Sequence, residues 1–242
     1  MNDFSNKEFR KLVVLGDSIT AGGWASTAER CWASQLAKMI NEYQRVPLQL
    51  VNVGIGGNVL STKSPAYPHS GKPAGDERLD KHVIAHNPDL LIIAYGLNDS
   101  RGGTSLEVYS QALRDVVGMV RTRIQPTIVL LGPYFMTKFE EYGAAWAHSS
   151  VEALRDLTRV THEVAQQTHS LFVDLLTVYS DAPWLVHPDG VHAHDVSHRV
   201  VANTIFNVLA ANCSGISQET LELTASIPRW RDETMLQRDF GY

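Results

Sequence analysis

The sequence predicts a three-layer α/β/α sandwich around a mostly parallel, five-stranded sheet. Three observations point there: short, continuously apolar runs, longer segments of helical period between them, and a composition suited to one packed core. In chain order, residues 12–15 (LVVL) form the first of five runs, all too apolar for strands with a wet face and so expected to be buried on both faces. Trp32, Leu36, Met39, Ile40 and Tyr43 then share one helical face. Residues 48–53 (LQLVNV) are the second strand, and residues 61–75, rich in Pro, Gly and Ser, read as a long surface loop. The third strand is 90–95 (LLIIAY). A helix follows with Leu106, Tyr109, Leu113, Val116, Val117, Val120 and Ile124 inward, then a fourth strand at 127–131. Val151, Leu154, Leu157, Val160 and Val164 line another helix, 171–174 is the fifth strand, and Val196, Val200, Val201, Ile205, Val208 and Leu209 stripe the last helix. Thr104 with Glu107, and Ser149 with Glu152, have capping-box spacing.

A chain of 242 residues, 44% hydrophobic and 19% charged, can bury a large core without disulfide or metal staples. Residues 1–213 are expected to form a single domain. Residues 214–242, polar with Trp230, Phe240 and Tyr242 near the end, are expected to be a tail packing on the domain or on a neighbouring subunit, which leaves a homo-oligomer open. Twenty-one Lys and Arg against 26 Asp and Glu give a net charge of −5, so no nucleic-acid partner is expected. No apolar run approaches the roughly 18 residues of a membrane span, and no membrane partner is expected. Cys31 and Cys213 stand in no redox or metal spacing, and no apolar stretch precedes Leu12. The expected location is therefore cytoplasmic, with two free thiols.

In a parallel sheet of this kind, ligands gather at the carboxyl ends of the strands. Four segments lie there. Gly16-Asp17-Ser18 follows the first strand and offers a hydroxyl and a backbone N–H to the crevice. Asn52-Val53-Gly54-Ile55-Gly56-Gly57 follows the second, where glycines let the backbone approach a ligand closely. Gly96-Leu97-Asn98-Asp99 follows the third, and the Asn98 amide is a neutral donor suited to an oxyanion. In Asp189-Gly190-Val191-His192 a carboxylate can fix the imidazole tautomer and leave Nε2 outward as a base. Singly, these are a cap, a glycine turn, an Asx-turn and a solvated pair. Together they are the inventory for acyl transfer: a nucleophile, oxyanion donors, a base and its orienter.

These four blocks, in this order over residues 12–210, resemble those of the SGNH/GDSL hydrolases, whose fold is flavodoxin-like. The resemblance implies Ser18, Asp189 and His192 as a catalytic triad. It implies the N–H groups of Ser18 and Gly57, with the Asn98 amide, as the oxyanion hole; Gly57 lies five residues after Asn52, as the family pattern requires. The sequence departs from that pattern after the triad histidine, where Ala193-His194 and Ser197-His198 stand in place of Pro-Asn and Gly-His. Gly-x-Ser-x-Gly, the elbow of the α/β-hydrolases, is absent. Gly132-Pro133-Tyr134-Phe135 and residues 170–174 are similar to the acetylxylan and carbohydrate acetylesterase branch.

Ten histidines are present, four of them between His187 and His198. A metal is not expected: His192 is claimed by Asp189, and no Cys or carboxylate completes a zinc set with His194 and His198. His198 is read as a helix residue packing near the triad loop. No cofactor is expected. Asp17, Tyr134, Trp146 and Trp184 are candidate substrate contacts, although core packing is the plainer account of the aromatics. The expected activity is hydrolysis of a small-molecule, short-chain ester, above all acetyl, of a carbohydrate or small metabolite. The rival readings are a thioesterase or lysophospholipase using the same residues on longer chains, and a carbohydrate-binding scaffold without catalysis.

Overall fold

A computed structural model describes residues 3–223 and 233–241. Strands β1 (Lys11–Gly16), β2 (Gln49–Asn52), β3 (Leu90–Ala94), β4 (Thr127–Leu131) and β5 (Leu171–Val173) form one sheet in the order β2-β1-β3-β4-β5. Every pairing is parallel, with Leu12 aligned to Leu50 on one side and to Leu90 on the other. The helices that cover it are α1 (Trp32–Asn41), α2 (Leu97–Arg101), α3 (Leu106–Arg123), α4 (Val151–Gln167) and α5 (Asp195–Asn212).

Side chains alternate across the strands, so each buried run supplies two cores. Leu12, Val14, Leu90, Ile92 and Val129 face Trp32, Leu36 and Ile40 of α1 and Val201, Ile205 and Leu209 of α5. Val13, Leu15, Leu91, Ile93 and Ile128 face Tyr109, Leu113 and Val116 of α3 and Val160 and Val164 of α4. Helices on both faces make the three-layer α/β/α fold that the alternation of runs implies.

Four details differ from the sequence reading. The helix caps are Ser105 and Ser150, whose hydroxyls accept from Val108 N at 3.3 Å and Ala153 N at 3.1 Å. Thr104 and Ser149 turn inward instead, pairing with the Ser64 and Ser100 hydroxyls at 2.7 Å each. Strand β2 lies at the sheet edge and is half-exposed rather than buried on both faces. Residues 61–75 are not a mere surface loop: Ser61, Ser64, Ala66 and Ala74 are buried, and Tyr67–Ser70 is helical.

The segment after α5 is helical too, over Ser214–Ser217 and Gln218–Leu223. It lies on its own chain, with Gly215 N donating to Ser5 O at 3.0 Å and Arg45 paired with Glu222 at 2.7 Å. Phe240 is exposed, while Trp230 and Tyr242 lie outside the described residues. Cys31 and Cys213 are buried and unpaired. Among the described residues no single helix is long and apolar enough to cross a membrane.

Candidate active site

The strand order reverses direction between β1 and β3, since β2 lies to one side of β1 and β4 beyond β3. A crevice opens at such a reversal, at the carboxyl ends of the two strands. Ser18 emerges there from β1 and Asn98 from β3.

Asp17, beside the nucleophile candidate, points inward. It is buried, accepts from Ile19 N at 3.0 Å, and has its carboxyl pushed up to about 6 by desolvation. It holds the turn that presents Ser18 and does not line the crevice, which corrects the expectation of a substrate contact.

Gly57 adopts a φ of +67°, a region costly for a side chain, in the turn after β2. The next residue joins this turn to β3. Asn58 Oδ1 accepts from Tyr95 Oη at 2.6 Å and from Arg78 Nη2 at 3.0 Å, and Arg78 Nη1 donates to Val53 O at 2.7 Å. Asn98 Nδ2 donates to Asn58 O at 3.1 Å, so the backbone that carries Gly57 and the side chain of Asn98 are fixed to each other.

The Asp189–His192 loop is a polar construction. Asp189 Oδ1 accepts from Val191 N and His192 N, both at 3.0 Å, and Gly190 turns between them at a φ of +80°. His192 Nδ1 donates to Asp189 Oδ2 at 2.6 Å. That assignment leaves Nε2 as an acceptor, and it lies 2.9 Å from Ser18 Oγ. Burial opposes ionisation of Asp189. The N–H groups of Val191 and His192 and the His192 ring outweigh it, holding the carboxyl well below the usual range. Burial also lowers His192 below an ordinary histidine, with Arg101 and His187 pushing the same way against Asp189. A neutral imidazole between a carboxylate and a hydroxyl is the arrangement of a general base and its nucleophile.

The remaining histidines of the cluster are structural. His194 caps α5, with Nδ1 accepting from Val196 N at 3.2 Å and Nε2 donating to Trp184 O at 2.8 Å. His187 Nδ1 accepts from Asp189 N at 3.2 Å. His198 Nδ1 accepts from Trp32 N at 3.3 Å and Nε2 donates to Gly23 O at 3.1 Å, tying the segment after Ser18 to α5. Asp195 fastens the same segment, accepting from Ser26 N and from Arg30, each at 2.7 Å.

That segment carries Trp24, whose indole lies on the His192 ring at 3.6 Å between centroids and 11° between planes. Its φ of +64° is rare for so bulky a residue, and the surrounding ties hold it there. A cavity of about 370 Å³ opens over Ser18, Gly57, Asn98 and His192. Trp24, Tyr142 and Trp146 supply aromatic walls, and His69, Ser70 and Arg101 polar ones.

The sequence profile of the GDSL-like lipase/acylhydrolase family matches residues 14–200. The chain belongs to that family. Its reaction class is hydrolysis at ester bonds. An acetylxylan esterase from Geobacillus stearothermophilus is 23% identical over 216 residues, covering 79% of this chain and 90% of that protein. An arylesterase from Vibrio mimicus is 28% identical over 111 residues, 46% of this chain and 48% of that protein. The crystal structure of a lipase/acylhydrolase from Enterococcus faecalis superposes with a TM-score of 0.67 at 21% identity, covering 84% of this chain and 96% of that one. At this identity the structural likeness is one of fold.

Within the family frame, the structure gathers Ser18, Gly57, Asn98, Asp189 and His192 around one crevice and places Trp146 on its wall. Tyr134 and Trp184 lie elsewhere. Tyr134 is buried against Tyr179, with centroids 6.2 Å apart, and Trp184 is 72% exposed outside the cavity. Trp24, Arg101, Tyr142 and the Arg78–Asn58 pair were not singled out by sequence reasoning. Two signals for them existed: Trp24 follows a Gly-Gly pair that permits an unusual turn, and Arg101 stands one helical turn after Asn98.

Proposed function

We propose that the chain hydrolyses short-chain esters, above all acetyl esters of carbohydrates or small metabolites, through a Ser18–His192–Asp189 triad and an acyl-enzyme. The observation that carries this reading is the continuous path of two short hydrogen bonds, 2.6 Å from Asp189 to His192 and 2.9 Å from His192 to Ser18, at the floor of an open cavity.

His192 Nε2 takes the Ser18 hydroxyl proton as Oγ attacks the ester carbonyl. The oxyanion is received by the N–H groups of Ser18 and Gly57 and by the Asn98 amide. Collapse expels the alcohol with the proton from His192. Water, activated by the same imidazole, then releases the acid and frees Ser18. Asp189 stays ionised throughout, in keeping with its lowered affinity for a proton.

The preference for small acyl groups is supported by the cavity. At about 370 Å³ it is near the small end of ligand sites, roughly 300–1,000 Å³, and acyl and alcohol parts must share it. Trp24, Tyr142 and Trp146 present flat faces of the kind on which a sugar ring packs. The similarity to an acetylxylan esterase agrees with this reading.

The test is turnover of a p-nitrophenyl ester series by the wild type and by Ser18→Ala. Activity is expected to peak at acetyl, and Ser18→Ala to lose at least about 10⁴-fold in kcat. Unchanged turnover in Ser18→Ala would end the triad reading. A peak at eight carbons or more would move the assignment to long-chain thioesterase or lysophospholipase action.

A further inference from the structure

The proposed mechanism leaves one buried cation in the cavity without a task. Arg101 stands one turn after Asn98 on α2, is 5% exposed, and lines the cavity. Its guanidinium makes its side-chain hydrogen bonds to neutral oxygens, Asn98 Oδ1 at 3.3 Å and Glu141 O at 3.1 Å. Among the described residues no carboxylate lies within 4.0 Å of it. The rings of Tyr142 and Trp146 pack against it, at 5.1 and 5.7 Å from its central carbon. Cation–π contact holds the group in place but does not neutralise it. A largely desolvated cation whose nearest carboxylates, Asp17 and Asp189, act on it only from beyond contact is costly, and a negative charge arising in the cavity during the cycle would offset that cost.

The contact with Asn98 says where. One Asn98 amide hydrogen goes to Asn58 O at 3.1 Å, and Arg101 occupies the amide oxygen. A flipped amide would set its oxygen against the Asn58 carbonyl and its NH₂ against the guanidinium. Both contacts would be repulsive, so these two neighbours dictate the orientation, and the second amide hydrogen is left for the crevice. Withdrawal of electron density at Oδ1 by a cation also strengthens Nδ2 as a donor.

We propose that Arg101 is a positioning residue for the oxyanion hole: it locks and polarises the Asn98 amide, so that its charge reaches the developing oxyanion through Asn98. This inference rests on the acyl-transfer reading of the site. It makes the third oxyanion donor a two-residue unit, Asn98 with Arg101, built on one turn of α2.

The experiment is a double-mutant cycle on p-nitrophenyl acetate with wild type, Asn98→Ala, Arg101→Met and the double variant, each with its melting temperature recorded. Arg101→Met is expected to lower kcat about 10- to 100-fold with KM changed less than about threefold, because the lost interaction is made in the transition state. In the Asn98→Ala background the same substitution is expected to lower kcat less than about threefold, since residues acting as one unit are not additive. Arg101→Lys, which keeps the charge and the stem, is expected to recover part of the loss, and it carries the same cycle should the Met variant fold poorly.

The pH profile gives a second readout. Arg101 faces His192 from α2, while Asp189 and His187 flank the imidazole from its own loop, Tyr142 donates to Asp189, and His198 stands on α5. Removing only the Arg101 charge lets His192 hold its proton more readily, so the acid limb of kcat/KM moves to higher pH. Multiplicative losses in the cycle would overturn the proposal. So would an unchanged kcat with a raised KM confined to esters that carry a carboxylate, which would make Arg101 a receptor for a substrate anion. A wild type inactive on every ester would overturn the acyl-transfer reading with it; an active wild type matched by Arg101→Met would overturn this inference alone.

Discussion

The two halves of the crevice are built by different means. Ser18 and Asn98 leave adjacent strands, β1 and β3, whose ladder is buried on both faces and sealed by helices. Asp189 and His192 stand well beyond the end of β5, on a loop shaped by Asp189 Oδ1, the Gly190 turn and a lone bridge between Val186 and Ala193. The first half has its backbone placed by the sheet and its side chains set by buried polar contacts, Asp17 in the Ser18 turn and Asn58 and Arg101 on the Asn98 amide. The second is shaped by its own polar contacts and one stacked indole, over anchors in Val191 and Ala193, buried in the core, and in the backbone bonds from Thr137 and Lys138 to Gly190 O. Substitution of Asp189 or Trp24, which leaves those anchors in place, is therefore expected to separate rate from stability.

Asp189→Asn should give the largest separation. The amide can still accept from the backbone, but its NH₂ facing Nδ1 favours the tautomer with Nε2 protonated, and kcat is expected to fall about 10⁴-fold. A thermal melt alongside the kinetics checks that the fold remains; a loss under tenfold would show that the orienter matters little here. Asn98→Ala, on the strand-borne side, should lower kcat about 10²–10³-fold, the usual effect of removing one oxyanion donor. A raised KM with unchanged kcat would place Asn98 in ground-state binding instead.

Trp24→Gly and Trp24→Ala sharpen the comparison further. Both remove the stack on His192, and each is expected to lower kcat about tenfold. Only glycine relieves the positive φ, so the Gly variant should be the more stable of the two by about 1 kcal/mol, read from denaturant melts. Equal stability would mean that the loop relaxes away from its left-handed conformation once the indole is gone. The smallest effect is in the pH profile. Burial disfavours imidazolium, so the acid limb of kcat/KM in the wild type should lie below the ordinary histidine value of about 6.5. A limb above that value would mean that Asp189 outweighs burial.

Much of the strand-borne half was legible in the sequence, because continuous apolar runs mark buried parallel strands and the residues after them inherit the crevice. The motif blocks carried the pairing of Asp189 and His192 as well. The shift of the helix caps from Thr104 and Ser149 to Ser105 and Ser150 was not legible. The capping-box rule favours Thr104 and Ser149 because Glu107 and Glu152 stand three residues on, and the choice is made instead by Ser64 and Ser100, which bury those two hydroxyls. Tyr134 and Trp184 show the same limit: an aromatic side chain reads identically in the core, on a cavity wall or in solvent. Trp24 and Arg101 act through partners brought near by the fold, and no periodicity reports a stack between the loop after β1 and a histidine near α5.

The span between the proposed nucleophile and its proposed base has a consequence for synthesis. Ser18 and His192 are 174 residues apart, and α5, which follows both, ties down the segment that carries Trp24. At translation rates of about 5–20 residues per second, roughly 9–35 s separate the emergence of one from the other. Through that interval the nascent chain carries a serine with no imidazole to activate it. On the proposed mechanism, a chain that ends before His192 is expected to be inert toward esters.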